Sequence, residues 1–374
     1  MRRRSGLIAS RRKRFTRFCE DLTMTTLHLQ RCLTALAIVL LPLSLMAQSQ
    51  VRIIQSNAAG DRIHIIDPVT NTVVAEIKGI EAAHGVTASP DGNRIYASNE
   101  ADETLDVADV ATRTFIKKIP LSGRPNNISI TPDGRKIYVG IRQAVGNNPG
   151  VADVIDTATL TKVKSIRTEG PVHNLYVSPD GKYVVAGEAG GEGHVSVLDA
   201  KTDAPAWFIK LGEGIRPMAM SKNPDGSTNL LFVQIGDYNG FVVVDFQARK
   251  EIARINLPKL ATGRIPLISG SSESHGIAVT ADQKTLVVCS RLNNALYAYS
   301  LPDLKVVGRA DLSGKGAAWV TLTPDGKRAY VADPVGNQTL VVDIPSMKEV
   351  AKIKVGQVPK RNYTMVVPSR TATN

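Results

Sequence analysis

Short runs in which apolar and polar residues alternate recur along the chain from residue 51 to residue 367. Residues 128–130 (Ile-Ser-Ile) and 136–139 (Lys-Ile-Tyr-Val) are two such runs, with a Thr-Pro-Asp-Gly turn at 131–134 between them. Two runs with a period of two around a tight turn are typical of a hairpin, because successive strand side chains point to opposite faces. Proline suits the turn because it fixes φ, and glycine closes the turn without a Cβ clash. The pattern therefore predicts antiparallel β-strands.

The same turn recurs at regular intervals. Four copies read Ser/Thr-Pro-Asp-Gly and two are degenerate; they occupy residues 89–92, 131–134, 178–181, 223–226, 280–283 and 323–326. Successive aspartates of the turn are 42, 47, 45, 57 and 43 residues apart. Each unit has room for two further strands, joined by an Asp-x-x-Thr corner such as the one at 156–159. Four short antiparallel strands in about 45 residues is the size of a β-propeller blade.

The two ends of the repeating region complement each other. Residues 51–78 contain three predicted strands with no Pro-Asp-Gly strand ahead of them, whereas residues 355–367 contain a single strand. Together they make one blade, which adds to six complete units between about 79 and 354. Joining the terminal strands also removes two exposed sheet edges. We predict an all-β fold, a seven-bladed β-propeller with four antiparallel strands per blade, in which residues 48–374 form one domain.

The N-terminal segment is typical of a targeting signal. Residues 33–46 are uncharged and apolar, Arg31 precedes them, and the small residue Ala47 offers a cleavage point. This layout predicts a signal peptide at residues 1–47, with Met24 as an alternative start, and hence a periplasmic or secreted protein. The apolar run is shorter than the roughly 20 residues of a membrane-spanning helix. We expect no integral membrane span in the mature chain, with an uncleaved anchor as the alternative.

Charge and cysteine content limit the functions to consider. The net charge is +12, but residues 1–47 carry +7 of it, so the predicted domain is only mildly basic. Cys19 and Cys32 lie in the N-terminal segment, which leaves Cys289 in an apolar strand without a disulfide partner. We expect Cys289 to be a buried, inert thiol. No Cys-x-x-Cys-His occurs in the sequence, which excludes covalent c-type haem.

One position of the repeat collects candidate binding residues. The innermost strand of each blade lines the central channel, and the residue five before the Ser/Thr of the turn lies at the same height in each blade. Around the ring this position holds His84, Asn126, His173, Arg216, His275, Ala318 with Trp319 beside it, and Arg361. We predict that these residues form a polar, ligand-binding site at the channel mouth.

Three interpretations suit this ring. His84, His173 and His275 could ligate zinc or copper as a three-histidine site, which makes a divalent metal a candidate cofactor. Arg216 and Arg361 add fixed positive charge, which favours an anionic ligand over a bare cation. The third interpretation is structural, with the imidazoles bonded to neighbouring backbone.

A second set of charged residues follows the second strands of the blades. It comprises Glu100, Arg142, Glu188, Asp237, Arg291 and Asp333. We expect these residues to rim the same face, most of them as solvated loop charges. Glu188 is a candidate general base because a glycine-rich loop follows it, and His173 and His275 are the other candidate catalytic residues. The longest insertion, within residues 257–274, predicts either a lid or a surface excursion.

Residues 80–99, 123–140 and 315–333 share the pattern Gly-x-x-Pro-His/Asn-x-Ile-x-Val-Ser-Pro-Asp-Gly-x-x-Ile-Tyr-Val-x-Asn. This pattern resembles the YVTN family of β-propeller repeats. The resemblance implies a seven-bladed propeller for residues 51–367. The family and its relatives, which are the lactonase-like propellers and the haem d1 domains of nitrite reductases, include binding proteins, enzymes and surface proteins. The resemblance therefore implies a fold and no single activity.

The ring and the resemblance together lead to three hypotheses. The first is an exported propeller that binds an anionic small molecule, polymer or protein segment at the channel mouth. The alternative is a lactonase-like hydrolase or lyase, with or without a metal, in which a histidine or the metal activates water and Arg216 stabilises the developing anion. The second alternative is single-stranded nucleic-acid binding. The ring has few aromatic faces on which bases could stack, so we do not expect nucleic acid to be the partner.

Overall fold

The computed structural model describes residues 50–144, 150–190, 192–258 and 272–367, all of them within the compact unit Ser49–Pro368. In these ranges the chain forms strands and turns, and no helix suited to crossing a membrane is found among them. The predicted signal peptide and residues 259–271 of the predicted insertion lie outside the described residues.

The described ranges contain 28 strands. In chain order they are β1 (Gln50–Asn57), β2 (Arg62–Asp67), β3 (Thr72–Lys78), β4 (Ala83–Ala88), β5 (Arg94–Asn99), β6 (Thr104–Asp109), β7 (Phe115–Pro120), β8 (Gly123–Ile130), β9 (Lys136–Ala144), β10 (Val151–Asp156), β11 (Thr161–Arg167), β12 (Val172–Val177), β13 (Tyr183–Glu188), β14 (His194–Asp199), β15 (Ala204–Lys210), β16 (Ile215–Lys222), β17 (Thr228–Ile235), β18 (Gly240–Asp245), β19 (Lys250–Asn256), β20 (Ser274–Val279), β21 (Thr285–Ser290), β22 (Ala295–Ser300), β23 (Val306–Asp311), β24 (Ala318–Leu322), β25 (Arg328–Asp333), β26 (Gln338–Asp343), β27 (Lys348–Lys354) and β28 (Pro359–Val367).

These strands form seven antiparallel sheets of four strands each across the described ranges. Six sheets take consecutive strands, from β4–β7 to β24–β27, and the seventh has the order β28-β1-β2-β3. In that last sheet seven residue pairs join β1 to β28, from Gln50 opposite Val367 to Asn57 opposite Pro359. The predicted seven-bladed β-propeller, closed by a blade split between the N- and C-terminal segments, is confirmed.

The chemistry of the repeated turn explains its recurrence. The Thr131 hydroxyl donates a hydrogen bond to Asp133 Oδ1 at 2.6 Å, and the same oxygen accepts the Arg135 amide at 3.1 Å. Gly134 follows with a φ of +72°, in the left-handed region that glycine adopts without strain. In the degenerate copy Gln283 adopts a similar φ of +61°. The Asp side chain therefore bridges the hairpin, and the glycine sets its geometry.

The core lies between adjacent blades. Five of the six residues in β5 and in β6 are buried, because the middle strands of a blade pack against a neighbouring sheet on both faces. The outer strand β11 is exposed except at Ile166. Cys289 is fully buried in β21, and burial raises the pKa of its thiol. The expectation of a buried cysteine is therefore confirmed.

Candidate functional site

The first strand of each blade faces the channel, and these strands are neighbours in the ring order β4, β8, β12, β16, β20, β24, β28. In every one of the seven, a β-bulge near the start interrupts pairing with the second strand. A bulge leaves residues unpaired and re-aims their side chains. The bulges contain His84, Asn126, His173, Arg216, His275, Trp319 and Arg361. The same irregularity in each blade thus brings together the predicted ring, with Trp319 rather than Ala318 in the bulge.

Side chains from the second strands satisfy the backbone groups that the bulges leave unpaired. Ser98 Oγ accepts the Gly85 amide at 2.7 Å and donates to the carbonyl of Asn126 at 2.5 Å, so it links two blades. The side-chain oxygen Oε1 of Gln234 likewise accepts the amide of Gly276, which belongs to the next blade, at 2.6 Å. A Cβ on Gly85 would lie 2.7 Å from the Asn126 carbonyl oxygen. The bulges are therefore rigidly held, and glycine permits the close approach of neighbouring inner strands.

Aromatic rings line one side of the channel mouth. The ring centroids of His275 and Trp319 are 4.6 Å apart, those of His173 and His275 are 6.0 Å apart, and those of His84 and Trp319 are also 6.0 Å apart. Lys360 Nζ lies 4.9 Å from the centroid of the Trp319 ring, a cation–π contact. Trp319 has a φ of +46°, which is strained for a bulky residue. The mouth is therefore narrow and firmly packed.

Arg361 crosses the channel from β28 to the opposite wall. Its guanidinium donates to the Tyr176 hydroxyl at 3.2 Å and to Asn174 Oδ1. The side chain is buried, with 7% of the residue exposed. Both of these partners are neutral, and Arg361 forms no ion pair within the described ranges. The charge is therefore held inside the propeller without a counter-ion from the described chain.

Several buried polar atoms around the ring have no hydrogen-bond partner among the described residues. They are His84 Nε2, both side-chain polar atoms of Asn126, His275 Nδ1, Arg291 Nε, Trp319 Nε1 and Arg361 Nε. Buried polar groups are usually paired with protein, with water or with a ligand, so a cluster of unpaired ones marks a place where solvent or ligand binds.

The imidazoles of the ring are neutral near pH 7. Burial lowers the pKa of His84 to about 4, against the opposing effect of Glu100. Burial also lowers the pKa of His173 well below its usual range, and the charge of Arg216 adds to this effect. For His275 burial and the charge of Arg291 lower the pKa in the same way. Neutral imidazoles can donate or accept hydrogen bonds, whereas the fixed positive charge of the site comes from arginine and lysine.

His84 and Glu100 form a hydrogen-bonded pair at the mouth. His84 Nδ1 contacts Glu100 Oε1, and Arg124 Nε lies 3.1 Å from Glu100 Oε2. Burial alone raises the pKa of Glu100, but the bonds from His84 and Arg124 outweigh it and lower this pKa to about 2. An ionised Glu100 accepts a hydrogen bond from His84 Nδ1–H, so Nε2 is the unprotonated nitrogen of the imidazole.

The residues after the second strands divide into two groups. Glu100 and Arg291 are the first residues after β5 and β21; Glu100 contacts His84, and Arg291 influences His275 electrostatically. Glu188 and Asp333 are instead the last residues of β13 and β25, and both are fully buried. Arg142, in β9, lies within electrostatic range of His173.

Glu188 is therefore not the channel-mouth residue that the sequence predicts. Its Oε1 accepts the Ser196 hydroxyl at 2.7 Å and the Glu169 amide at 3.2 Å, within its own blade. Asp333 similarly accepts the Lys315 amide at 3.2 Å. Adjacent strand residues point to opposite faces, so an offset of one position turns these carboxylates into the blade. The expectation that Glu188 and Asp333 rim the channel was wrong, whereas the exposed Asp237 lies within electrostatic range of Arg216.

Sequence reasoning missed two features of the site, Lys360 and the His84–Glu100 pair. Lys360 shares its bulge with Arg361, and both residues lie opposite Ser56. The sequence signal for Lys360 was its position directly before Arg361, which the repeat spacing already places in the ring. In the described ranges no group of three or more His, Cys, Asp or Glu side chains is arranged to hold a metal ion. The three ring histidines are spread along the channel wall, and Trp319 lies between two of them.

A cavity of about 150 Å³ lies further along the inner strands. Trp319 and Arg361 of the bulge ring line it, together with Thr87, Ser129 and Tyr176. The cavity has room for several water molecules or for a small part of a ligand.

The chain is similar to several solved propellers. Hydrazine synthase of Kuenenia stuttgartiensis has 23% identity and a TM-score of 0.66, over 78% of this chain and 91% of that chain. The periplasmic gluconolactonase of Pseudomonas aeruginosa has 18% identity and a TM-score of 0.67, over 85% and 100%. The dihydro-haem d1 dehydrogenase NirN has 17% identity and a TM-score of 0.61, over 85% and 75%.

The chain has the fold of the seven-bladed β-propellers. No protein-family model and no curated protein matches its sequence, so the YVTN repeat stays a resemblance. Identities below one quarter establish this fold and leave the activity to be argued from the site.

Proposed function

We propose that this protein is an exported β-propeller that binds an anionic small molecule in the ring at its channel mouth. The observation that carries the proposal is the buried guanidinium of Arg361, which has only neutral hydrogen-bond partners in the described chain and an unpartnered Nε. A buried charge without a counter-ion is unfavourable, and a bound anion removes that penalty. Arg291, also buried with an unpartnered Nε, supports the same chemistry.

The dimensions of the ring favour a small molecule over a polymer, a protein segment or a nucleic acid. Trp319 is 6% exposed and is enclosed by His275 and Lys360. Single-stranded nucleic acids stack their bases on open aromatic faces, and a buried indole offers little of its face. A small acid can enter the narrow mouth and reach the unpartnered atoms.

Export is the part of the proposal that rests on the N-terminal segment. The apolar run at 33–46 and the small residue Ala47 support cleavage before Gln48. Expression of the full chain in a bacterial host, followed by N-terminal sequencing of the periplasmic fraction, tests this part. We expect Gln48 as the first residue; retention of the uncleaved chain in the cytoplasm contradicts export.

Trp319 provides a direct assay for binding. The chain has two tryptophans, and Trp207 lies on the outer strand β15, so Trp207→Phe leaves Trp319 as the reporter. We titrate this variant with succinate, gluconate and inorganic phosphate. At least one of these anions should change the fluorescence, and Arg216→Ala should weaken its binding by about 1.5 to 3 kcal/mol through loss of a charge-assisted bond.

Arg135→Gln is the matched control. This arginine has a side chain that is 85% exposed in the repeated turn at the opposite end of the strands. We expect its loss to leave affinity unchanged. The proposal fails if none of the three anions changes the fluorescence or the melting temperature, or if Arg135→Gln weakens binding as much as Arg216→Ala.

We propose lactone hydrolysis as a second candidate function, because one observation favours it. The carboxylate of Glu100 orients His84, and His84 Nε2 is buried and unpartnered, which is the arrangement of a general base. Arg216 could then stabilise the anion that forms. A periplasmic gluconolactonase shares this fold, which is consistent with the idea but does not carry it.

Hydrolysis of glucono-δ-lactone, followed in a pH-stat against the spontaneous rate, tests this candidate. We expect His84→Gln to reduce the enzymatic rate by at least about 100-fold, because a general base typically contributes that much. The control is His64→Gln, since His64 is equally buried but lies in β2 and bonds to Asn57. An absence of catalysed hydrolysis, or equal effects of the two variants, rules out His84 as the base.

A further inference from the structure

Five cations from four blades meet at the channel mouth. They are Arg142 of β9, Arg216 of β16, Arg291 after β21, and Lys360 and Arg361 of β28. Their charges act on the same groups: Arg216, Arg291 and Arg361 all influence His275. Lys360 is likewise within electrostatic range of Arg142, Arg291 and Arg361. The cluster therefore concentrates positive charge around one axis.

Carboxylates of the described chain neutralise this cluster only in part. Asp237 acts electrostatically on Arg216, Asp333 on Arg291 and Glu100 on Lys360. None of the five cations forms an ion pair within the described ranges. Glu100 is already engaged by His84 and Arg124, and Asp333 by backbone and side-chain donors of its own blade. One negative charge on a ligand would leave most of the cluster uncompensated.

The positions of the cations also restrict the shape of the ligand. Arg142 and Arg291 come from blades on opposite sides of the ring, because the blades that begin with β12 and β16 separate them on one side and those that begin with β24, β28 and β4 on the other. Arg361 enters from the split blade, and its guanidinium lies against Tyr176 of β12. A single compact acid group cannot bond to cations on opposite walls at once. The imidazole centroids of His173 and His275 are only 6.0 Å apart, so the space at the mouth suits a small ligand.

We propose that the ligand of this ring is a small organic acid with at least two separate anionic groups, held between cations that come from opposite sides of the ring. This inference rests on the proposed anion-binding function and goes beyond it by assigning the number and separation of the acid groups. The neutral imidazoles and Asn126 donate or accept hydrogen bonds from the uncharged part of the ligand, and Trp319 packs against it.

Calorimetric titration with butyrate, succinate and tricarballylate tests the proposal, because these acids have similar carbon chains and carry one, two and three carboxylates. We measure all three at neutral pH and constant ionic strength, with inorganic phosphate as a compact anion for comparison. Each added carboxylate should tighten binding at least about tenfold, the value of one charge-assisted bond. Phosphate should bind more weakly than tricarballylate.

Arginine variants locate the effect. Arg361→Gln should weaken tricarballylate binding at least about tenfold and butyrate binding less, whereas Arg135→Gln should change neither. Lys360→Gln serves as a second variant if Arg361→Gln does not fold. If butyrate binds as tightly as tricarballylate, or if phosphate binds most tightly of the four, the inference is overturned but anion binding is not. Failure of all four anions to bind overturns the inference, and the proposed anion binding is overturned as well if gluconate also fails to bind.

Discussion

Removal of β28 should destroy most of the stability of the propeller. A chain that ends at Lys354 lacks the strand that pairs with β1 through seven residue pairs. An antiparallel ladder has about one hydrogen bond per paired residue, and each contributes about 0.5 to 1.5 kcal/mol, so about 4 to 10 kcal/mol is lost. Burial of Met365, which is 2% exposed, adds about 2 kcal/mol. Typical domains have only about 5 to 15 kcal/mol in total.

Urea denaturation, monitored both by circular dichroism and by tryptophan fluorescence, measures this effect. The full chain should show one cooperative transition with both probes, whereas the chain ending at Lys354 should lose cooperativity and show non-coincident transitions. A chain ending at Val367 is the control, because it keeps β28 and removes only the residues beyond it. If the chains ending at Lys354 and Val367 unfold with the same midpoint and slope, our reasoning about ring closure is refuted.

Three further predictions concern pH, backbone strain and thiol reactivity. The pKa of His84 is about 4 in the folded chain and about 6.5 in an unfolded one, so the unfolded chain takes up the proton first as pH falls. Stability should drop by about 3 kcal/mol between pH 6.5 and 4, and His84→Gln should make the pH profile of urea midpoints shallower. Gly276 has a φ of +124°, and a Cβ there would lie 2.7 Å from the Trp319 amide nitrogen. Gly276→Ala should therefore lower the free energy of unfolding by about 1 to 3 kcal/mol and shift the Trp319 emission; an unchanged spectrum contradicts the close approach. Cys289 should react with a thiol reagent only in urea, at the rate of unfolding; rapid reaction of the native protein contradicts its burial.

The repeat and the ring closure could be predicted from the sequence because they depend on local chemistry. The Asp133 carboxylate and the conformation of Gly134 are dictated by a four-residue turn, and every copy marks the same hairpin. The split blade follows from counting strands at the two ends. Both features need only the spacing of residues along the chain.

The details of the site could not be predicted in the same way. Whether a residue faces the channel depends on a shift of one position, and this is why Glu100 lies at the mouth whereas Glu188 lies inside its blade. The bulges that aim the ring residues have no spacing signature of their own. The contact of Lys360 with Trp319 joins strands of two neighbouring blades, and only the folded ring shows it.

The split blade also sets when the ligand site is completed. β28 follows the other strands of the described chain, yet it supplies Lys360 and Arg361. A chain that has not yet paired β28 with β1 therefore presents the imidazoles without these two cations. If the proposed acid binds, it contacts the strand that closes the ring, and its occupancy would then stabilise the molecule against opening between β28 and β1.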